Sequence, residues 1–543
     1  MNEIVQFCLE KGLLLDKELL NLFSENSDLE SIKLIINKFK HFTNKRVITK
    51  NIFTENKDSI NNLLSGLSQE NQKKLEKLKI KLGLTIKISR EENFVAEPVN
   101  NNLIEKKVFE ENNGIREEKL KNEIITKINN FDDVKIIGNY PALSKKLEVK
   151  DFVTYFKNRF STLKNILQEH SELDKLVSIG KMSGNRQIIS IIGIVSNKRI
   201  TKNKNILLEV EDLTGKLKVL INKDKKELYK KAEEIPLDSV IGFKGAGNKE
   251  ILFVNEIIFP ESRLAFRKKG IVDENVLFIG DIHVGSKFFM EDNFLKFINY
   301  LNGNVPGTED EIKKIKYLFI LGDLVAGVGI HPGQERELTI ANVEDQYIHA
   351  AKLLNKIRKD IKIIISPGNH DAVRIMEPQP ILDEKYAWSL YEIKNVLLIG
   401  NPSIINIGAK EGFSGFNILN YHGYSYHYYS GNISRLIVEK AVHKPEIIME
   451  YLLKFRHLAP THSSTLYFPS EEDPFIIRDI PDIFVSGHTH KSAVSYYNNV
   501  LIVSSSSWES LTPFQEKMGN EPDFCKVPLF NLKTRAVKIL DFE

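Results

Sequence analysis

VLFIGDIHVG (276–285) runs four apolar residues into an aspartate and a histidine two positions apart. Strand residues i and i+2 point the same way, so Asp281 and His283 can converge just beyond the end of a buried strand. A carboxylate oxygen and an imidazole nitrogen brought together are donors that a transition metal takes. A single D-x-H is more often a capped loop or a surface pair. Its meaning therefore depends on the rest of the chain.

Four further stretches share its grammar. KYLFILGD (316–323) ends on Asp323, and IKIIISPGNHD (361–371) on Asn369, His370 and Asp371. FNILNYHG (416–423) ends on His422, and DIFVSGHTH (482–490) on His488 and His490. Each apolar run terminates in metal-competent side chains with a glycine beside them, and glycine lets backbone approach closely. Adjacent strand ends held by a sheet are a rigid platform for such a cluster. Of 13 histidines, five stand at these ends, which makes chance a poor explanation. His41, His170, His331, His349, His427, His443, His457 and His462 lack that context and read as surface or core residues. Mixed nitrogen and oxygen donors suit Mn²⁺, Fe²⁺ or Zn²⁺ better than Mg²⁺, which remains an alternative, and manganese is the expected ion.

The bulk numbers are those of an ordinary globular chain. Its 543 residues are 42% hydrophobic and 27% charged, a length that fits several domains. A net charge of +4 does not by itself announce a nucleic-acid partner. Cys8 and Cys525 are the two cysteines, with no C-x-x-C spacing. This argues for a reducing compartment and against a disulfide framework or thiolate zinc site. The first twenty residues are too charged for a signal peptide, and no apolar run reaches the ~18 residues of a membrane span. A cytoplasmic, non-secreted protein without a membrane partner is expected.

Four regions follow from composition and periodicity. Residues 1–85 read as a small helical domain, with a Ser27/Glu30 capping box. Residues 86–140 are polar and aperiodic, a flexible linker. Residues 150–262 open with a helix whose apolar face carries Phe152, Phe156, Phe160, Leu163 and Leu167. Three strands, a helix and two strands come next, the order of an OB-fold barrel. OB-folds bind single strands on aromatics; Phe243 and Phe253 are the candidates here, though core packing explains them equally well. Residues 270–543 alternate apolar strands with longer helices, as in a layered α/β domain.

The series D-x-H, G-D, G-N-H-D, H-G, G-H-T-H across 281–490 is similar to that of the calcineurin-like metallophosphoesterases. That resemblance implies a four-layer fold, a β-sandwich flanked by helices, and a binuclear site. One ion would take Asp281, His283 and His490, the other Asn369, His422 and His488, with Asp323 bridging. His370 would be a proton donor or phosphate partner, oriented by Asp371. Two such ions activate water and clamp the phosphate for an in-line displacement.

A phosphoesterase placed behind an OB-fold and a helical N-terminus resembles the small subunits of replicative DNA polymerases. GVGIHPGQEREL (327–338), GNHDAVRIMEPQP (368–380), FRHLAP (455–460), EEDPFIIRDIPDIFVSGHTH (471–490) and SSWESLTPFQEKMGNEPDFCKVPLFNL (506–532) resemble, in order, the small subunits of archaeal family D DNA polymerases. In that family the ligands are kept, and this sequence keeps them all. The resemblance implies a 3′→5′ proofreading exonuclease on single-stranded or mispaired DNA ends. It also implies a large catalytic polymerase subunit as partner, with the sliding clamp and DNA in the same assembly. Arg374, Tyr424 and Tyr426 would contact the DNA backbone or stack a terminal base. Two alternatives stay open: a non-catalytic assembly subunit, and a double-strand-break-repair nuclease. The latter carries its phosphoesterase first, whereas only about 50 residues follow GHTH here.

Overall fold

A computed structural model describes residues 6–8, 14–15, 47–48, 131, 133–138 and 145–543. The chain divides into two units, Met1–Glu111 and Asn112–Glu543. In the first, Leu14–Leu15 pairs in parallel with Val47–Ile48. Otherwise the helical reading of 1–85, with its Ser27 cap, and the linker up to residue 130 lie outside the described residues.

In the second unit, strand β1 (Val134–Gly138) and helix α1 (Val149–Gln168) precede a closed barrel. The barrel strands are β2 (Gln187–Ile200), β3 (Ile206–Glu211), β4 (Lys216–Ile221), β5 (Val240–Gly247) and β6 (Ile251–Ile258). Their order is β2-β3-β4-β6-β5, closed by β2 on β5, with helix α2 (Lys226–Glu233) between β4 and β5. Phe243 is fully buried in the barrel core. Phe253 is 40% exposed, under the guanidinium of Arg186.

The rest of the unit is built on two six-stranded sheets. Strands β7 (Asn275–Ile279), β8 (Ile315–Leu321), β9 (Lys362–Ser366) and β10 (Val396–Leu398) run parallel in the first. The second contains β11 (Ser403–Ile407), β12 (Phe416–Asn420), β13 (Ile483–Ser486), β14 (Ala493–Tyr497) and β15 (Val500–Ser504). The first sheet is completed by the antiparallel β16 (Lys526–Asn531) and β17 (Val537–Asp541).

The strand alternation explains the layers. Val276, Phe278, Phe319 and Ile364 meet Ile405, Ile418, Val485 and Val503 in the core between the sheets. The intervening Leu277, Ile279, Ile320 and Ile365 pack outward on Phe294, Phe297, Tyr347 and Leu390 of the helices covering the first sheet. Phe484 and Ile502 pack instead against Ile448, Met449 and Leu452 beyond the second. Strands buried on both faces are continuously apolar for this reason.

Two expectations are corrected. The linker expected over 86–140 ends in β1, which pairs antiparallel with β11 at the edge of the second sheet. Val134 is fully buried there, and Phe131 joins the inter-sheet core. Short apolar runs inside a polar stretch are thus strand when a sheet edge is there to receive them. Helix α1 buries Tyr155, Arg159, Phe160, Leu163 and Leu167, leaving Phe152 and Phe156 only half-buried. The helix is rotated because Asp473 draws two polar groups inward: Tyr155 Oη donates to it at 2.8 Å and Arg159 Nε at 2.6 Å.

Candidate metal centre

All the donor-bearing strand ends deliver their residues to one edge. Asp281 follows β7, Asp323 follows β8, and Asn369–Asp371 follow β9 in the parallel half of the first sheet. His422 follows β12 and His488 and His490 follow β13, parallel neighbours in the second. Parallel strands put all carboxyl ends on one side, so side chains up to 209 residues apart in sequence meet (281 against 490).

The donors fall into adjoining groups. Asp281, His283 and His490 form one, with His283 Nε2 3.2 Å from His490 Nε2 and His490 Nε2 3.5 Å from Asp281 Oδ1. Asp323, His422 and His488 form another, with His422 Nε2 3.3 Å from Asp323 Oδ2 and 3.0 Å from Asn369 Oδ1. Asp323 also belongs with His283 and His370 in a third, so it stands between the first two.

The backbone is bent to make this possible. Asp281, His283, Asp323, His488 and His490 all have positive φ, between 50° and 69°. Non-glycine residues held there cost about 1–3 kcal/mol each and concentrate at functional sites. Local hydrogen bonds hold the bends: Ile282 and His283 N–H donate to the Asp323 carbonyl, and His488 N–H to both Asp281 oxygens at 3.0 Å. His370 N–H donates to Asp323 Oδ1 at 2.7 Å.

The donor set fits divalent cations. Burial and neighbouring imidazoles hold His283 and His488 well below the usual histidine range, leaving lone pairs to give. His283 Nδ1 and His488 Nε2 are buried without a hydrogen-bond partner. Such groups are costly unless something binds them. Burial opposes charge on His422, yet Asp323 raises it to about 10, a measure of the pull for positive charge at this point. His422 Nδ1 donates to the Leu321 carbonyl at 2.8 Å, which turns Nε2 toward the cluster.

The remaining expected residues divide. His370 Nδ1 donates to the Ala326 carbonyl at 2.9 Å, so Nε2 is its free nitrogen, 4.0 Å from Asp323 Oδ2. Asp371, expected to orient His370, does not touch it through any of its hydrogen bonds. Its carboxylate accepts from the N–H groups of Leu324, Val325 and Gly368 and from Tyr347 Oη. It ties the Asp323 loop to the Asn369 loop, and burial with the Asp323 charge pushes it up to about 6. Tyr424 is half-buried, its ring 5.6 Å from His488, at the rim of the cleft. Tyr426 is fully buried in the core around Tyr421 and Tyr429, so it is out of reach of a DNA base. Arg374 donates to the carbonyls of Met376 and Pro378 and stacks on Phe468, which makes it a loop brace.

Several neighbours of the cluster carry no strand-end signature. Gln515 Nε2 lies 3.1 Å from His490 Nδ1, Asn401 Oδ1 accepts the His422 N–H, and His427 packs 5.1 Å from His488. His331 stacks on Phe514 across the cleft. Chain folding alone brings these residues in.

Over residues 276–495 the chain matches the model of the DNA polymerase alpha/epsilon B-subunit family. It is 38% identical to the DNA polymerase II small subunit of Methanothermobacter thermautotrophicus, over 73% of this chain and 80% of that one. It is 39% identical to that of Pyrococcus furiosus, over 73% of this chain and 64% of that one. Among solved structures it is similar to an archaeal phosphodiesterase at 12% identity, over 49% of this chain and 98% of that one, with a TM-score of 0.23. The chain belongs to the family of small subunits of archaeal family D DNA polymerase, the DNA polymerase II small subunits. Among the described residues no helix is long and apolar enough to cross a membrane.

Proposed function

We propose that this chain is a metal-dependent 3′→5′ exonuclease that trims single-stranded or mispaired DNA ends beside a large catalytic polymerase subunit. One observation carries the reading: Asp281/His283/His490 and Asp323/His422/His488 stand side by side around a shared Asp323, with Asn369 at His422. Two divalent ions, manganese first among the candidates, would supply Lewis acidity toward water and phosphate oxygens. Asp281, His283 and His490 would hold one, and Asn369, His422 and His488 the other, with Asp323 between.

The chain's own residues perform the rest. Water's oxygen adds to phosphorus as the P–O3′ bond breaks, releasing a 5′-mononucleotide and leaving a 3′-hydroxyl on the shortened strand. His370 Nε2, the nitrogen not engaged by the Ala326 carbonyl, would give a proton to the departing oxygen. The barrel β2–β6 has the strand order of an OB-fold, and Arg186 over Phe253 marks its exposed aromatic, a feature suited to a single strand or a protein partner.

The test uses 5′-labelled single-stranded DNA and Mn²⁺, with the wild-type chain, Asp323→Ala, and the large subunit added or withheld. A ladder shortening from the 3′ end in the wild type alone supports the reading. Absence of cleavage even with the large subunit present makes the chain an assembly subunit instead.

A further inference from the structure

A second cleft, of about 850 Å³, adjoins the metal-competent one. The two share Ile330, Asn369, His370 and Tyr424 in their walls, so His370 stands at the corner between them. The walls of the second are largely apolar: Val328, Ile330, Ile375, Ile381 and Tyr386. Its size is within the roughly 300–1,000 Å³ of small-molecule sites.

These side chains are displayed on a braced frame. Val328 is 50% exposed and Ile375 49%. The loop that carries Val328 and Ile330 is held by two buried glutamines. Gln346 accepts the Gly327 N–H and donates to the Gly327 carbonyl, while Gln334 accepts the Ile330 N–H and donates to the Ala326 carbonyl. Gly327 has φ of +70° and passes so close to the His370 carbonyl that a Cβ would overlap it. The loop is thus pinned to the backbone of His370.

The charge in this cleft argues against phosphate as its occupant. Arg374 is engaged with backbone carbonyls and the buried Asp371 carboxylate with N–H and hydroxyl donors, while Asp383 and Glu384 bring carboxylates to the lining. Flat, uncharged, sequence-tolerant groups remain, and nucleobases are such groups. We infer that this cleft receives the unpaired terminal bases of the strand whose phosphate lies at the Asp323 cluster, an inference that rests on the exonuclease reading. A paired base cannot enter without leaving its partner, so the cleft would select frayed ends.

The experiment compares oligonucleotides ending in a normal 3′ nucleotide or an abasic one, using the full chain with Mn²⁺ and the large subunit. The wild type is matched with the double variant Val328→Asn/Ile375→Asn, two surface positions whose change spares the core. The wild type should show a KM about tenfold lower for the base-bearing end, and the variant should lose that preference while still trimming the abasic end at the wild-type rate. A 3′-terminal 2-aminopurine, read in EDTA, should change its fluorescence on binding the wild type and not the variant. Equal KM values for both ends in the wild type overturn the inference and leave the exonuclease standing. No trimming of either end overturns the exonuclease reading and this inference with it.

Discussion

Five residues with positive φ, Asp281, His283, Asp323, His488 and His490, carry most of the donor set. Their bends turn side chains that would follow the strand direction into a common point. Glycine makes room beside them: a Cβ on Gly368 would overlap Asp323 Oδ1 and stand 2.7 Å from His422 Cε1. Gly368→Ala should therefore displace Asp323 and weaken Mn²⁺ binding by an order of magnitude or more, measurable by calorimetric titration, with the fold retained by circular dichroism. His370→Ala and Asp371→Asn separate two roles that sequence alone joins. His370→Ala should keep wild-type metal affinity and lose about 10²–10⁴ in turnover. Asp371→Asn weakens the tie among Leu324, Val325, Gly368 and Tyr347, so it should lower both metal affinity and thermal stability. A His370→Ala variant that trims DNA as fast as the wild type would remove that residue from the proposed chemistry.

Among the elements, the strand ends were legible because each is a local event. An apolar run, a glycine and a donor occupy fewer than a dozen residues, and the alternation of Val276 and Phe278 against Leu277 and Ile279 is already in the pattern. Strand β1 was not legible, since VKIIG gains its place from β11, some 270 residues later. Nor was the rotation of α1, because Arg159 becomes a core residue only where Asp473 waits for it. The edge strand yields a prediction. A chain starting at residue 145 lacks Phe131 and Val134 and leaves the β11 edge unpaired, so its Tm should fall by several degrees against a chain starting at 131. Equal melting curves would show that β1 adds nothing to the second sheet.

Across the whole second unit, the barrel and the sandwich share a continuous apolar core and a buried polar junction. Arg159 and His457 both meet Asp473 Oδ2, at 2.6 and 2.9 Å. The Ala459 N–H donates to His457 Nδ1, so Nε2 carries the proton given to Asp473 and the ring is neutral. Burial and the Arg159 charge accordingly lower His457 from 6.5 to about 4. Between those values the unfolded chain binds the extra proton. The contribution of His457 is therefore complete above pH 6.5 and is lost as pH falls toward 4. The Tm of the wild type should drop more steeply over that interval than that of His457→Gln; parallel profiles would exclude the neutral ring as a source of acid sensitivity. Arg159→Met, which strands Asp473 in the junction, should cost about 3–5 kcal/mol in chemical denaturation.

The sequence by itself determined the strand ends that bear the candidate donors, the chain order of the barrel's elements and the family. All of these are written in patterns shorter than one element or in the order of elements. Tertiary structure alone decided that Asp371 braces a loop, that Tyr426 lies in the core, that Arg374 serves its own backbone, and that β1 completes a sheet. The reason is distance along the chain. Tyr155 and Asp473 are 318 residues apart, and a hydrogen bond between them leaves no periodic trace in either neighbourhood. A side chain's local pattern sets the direction it leaves the backbone, while the partner it finds depends on how distant segments pack.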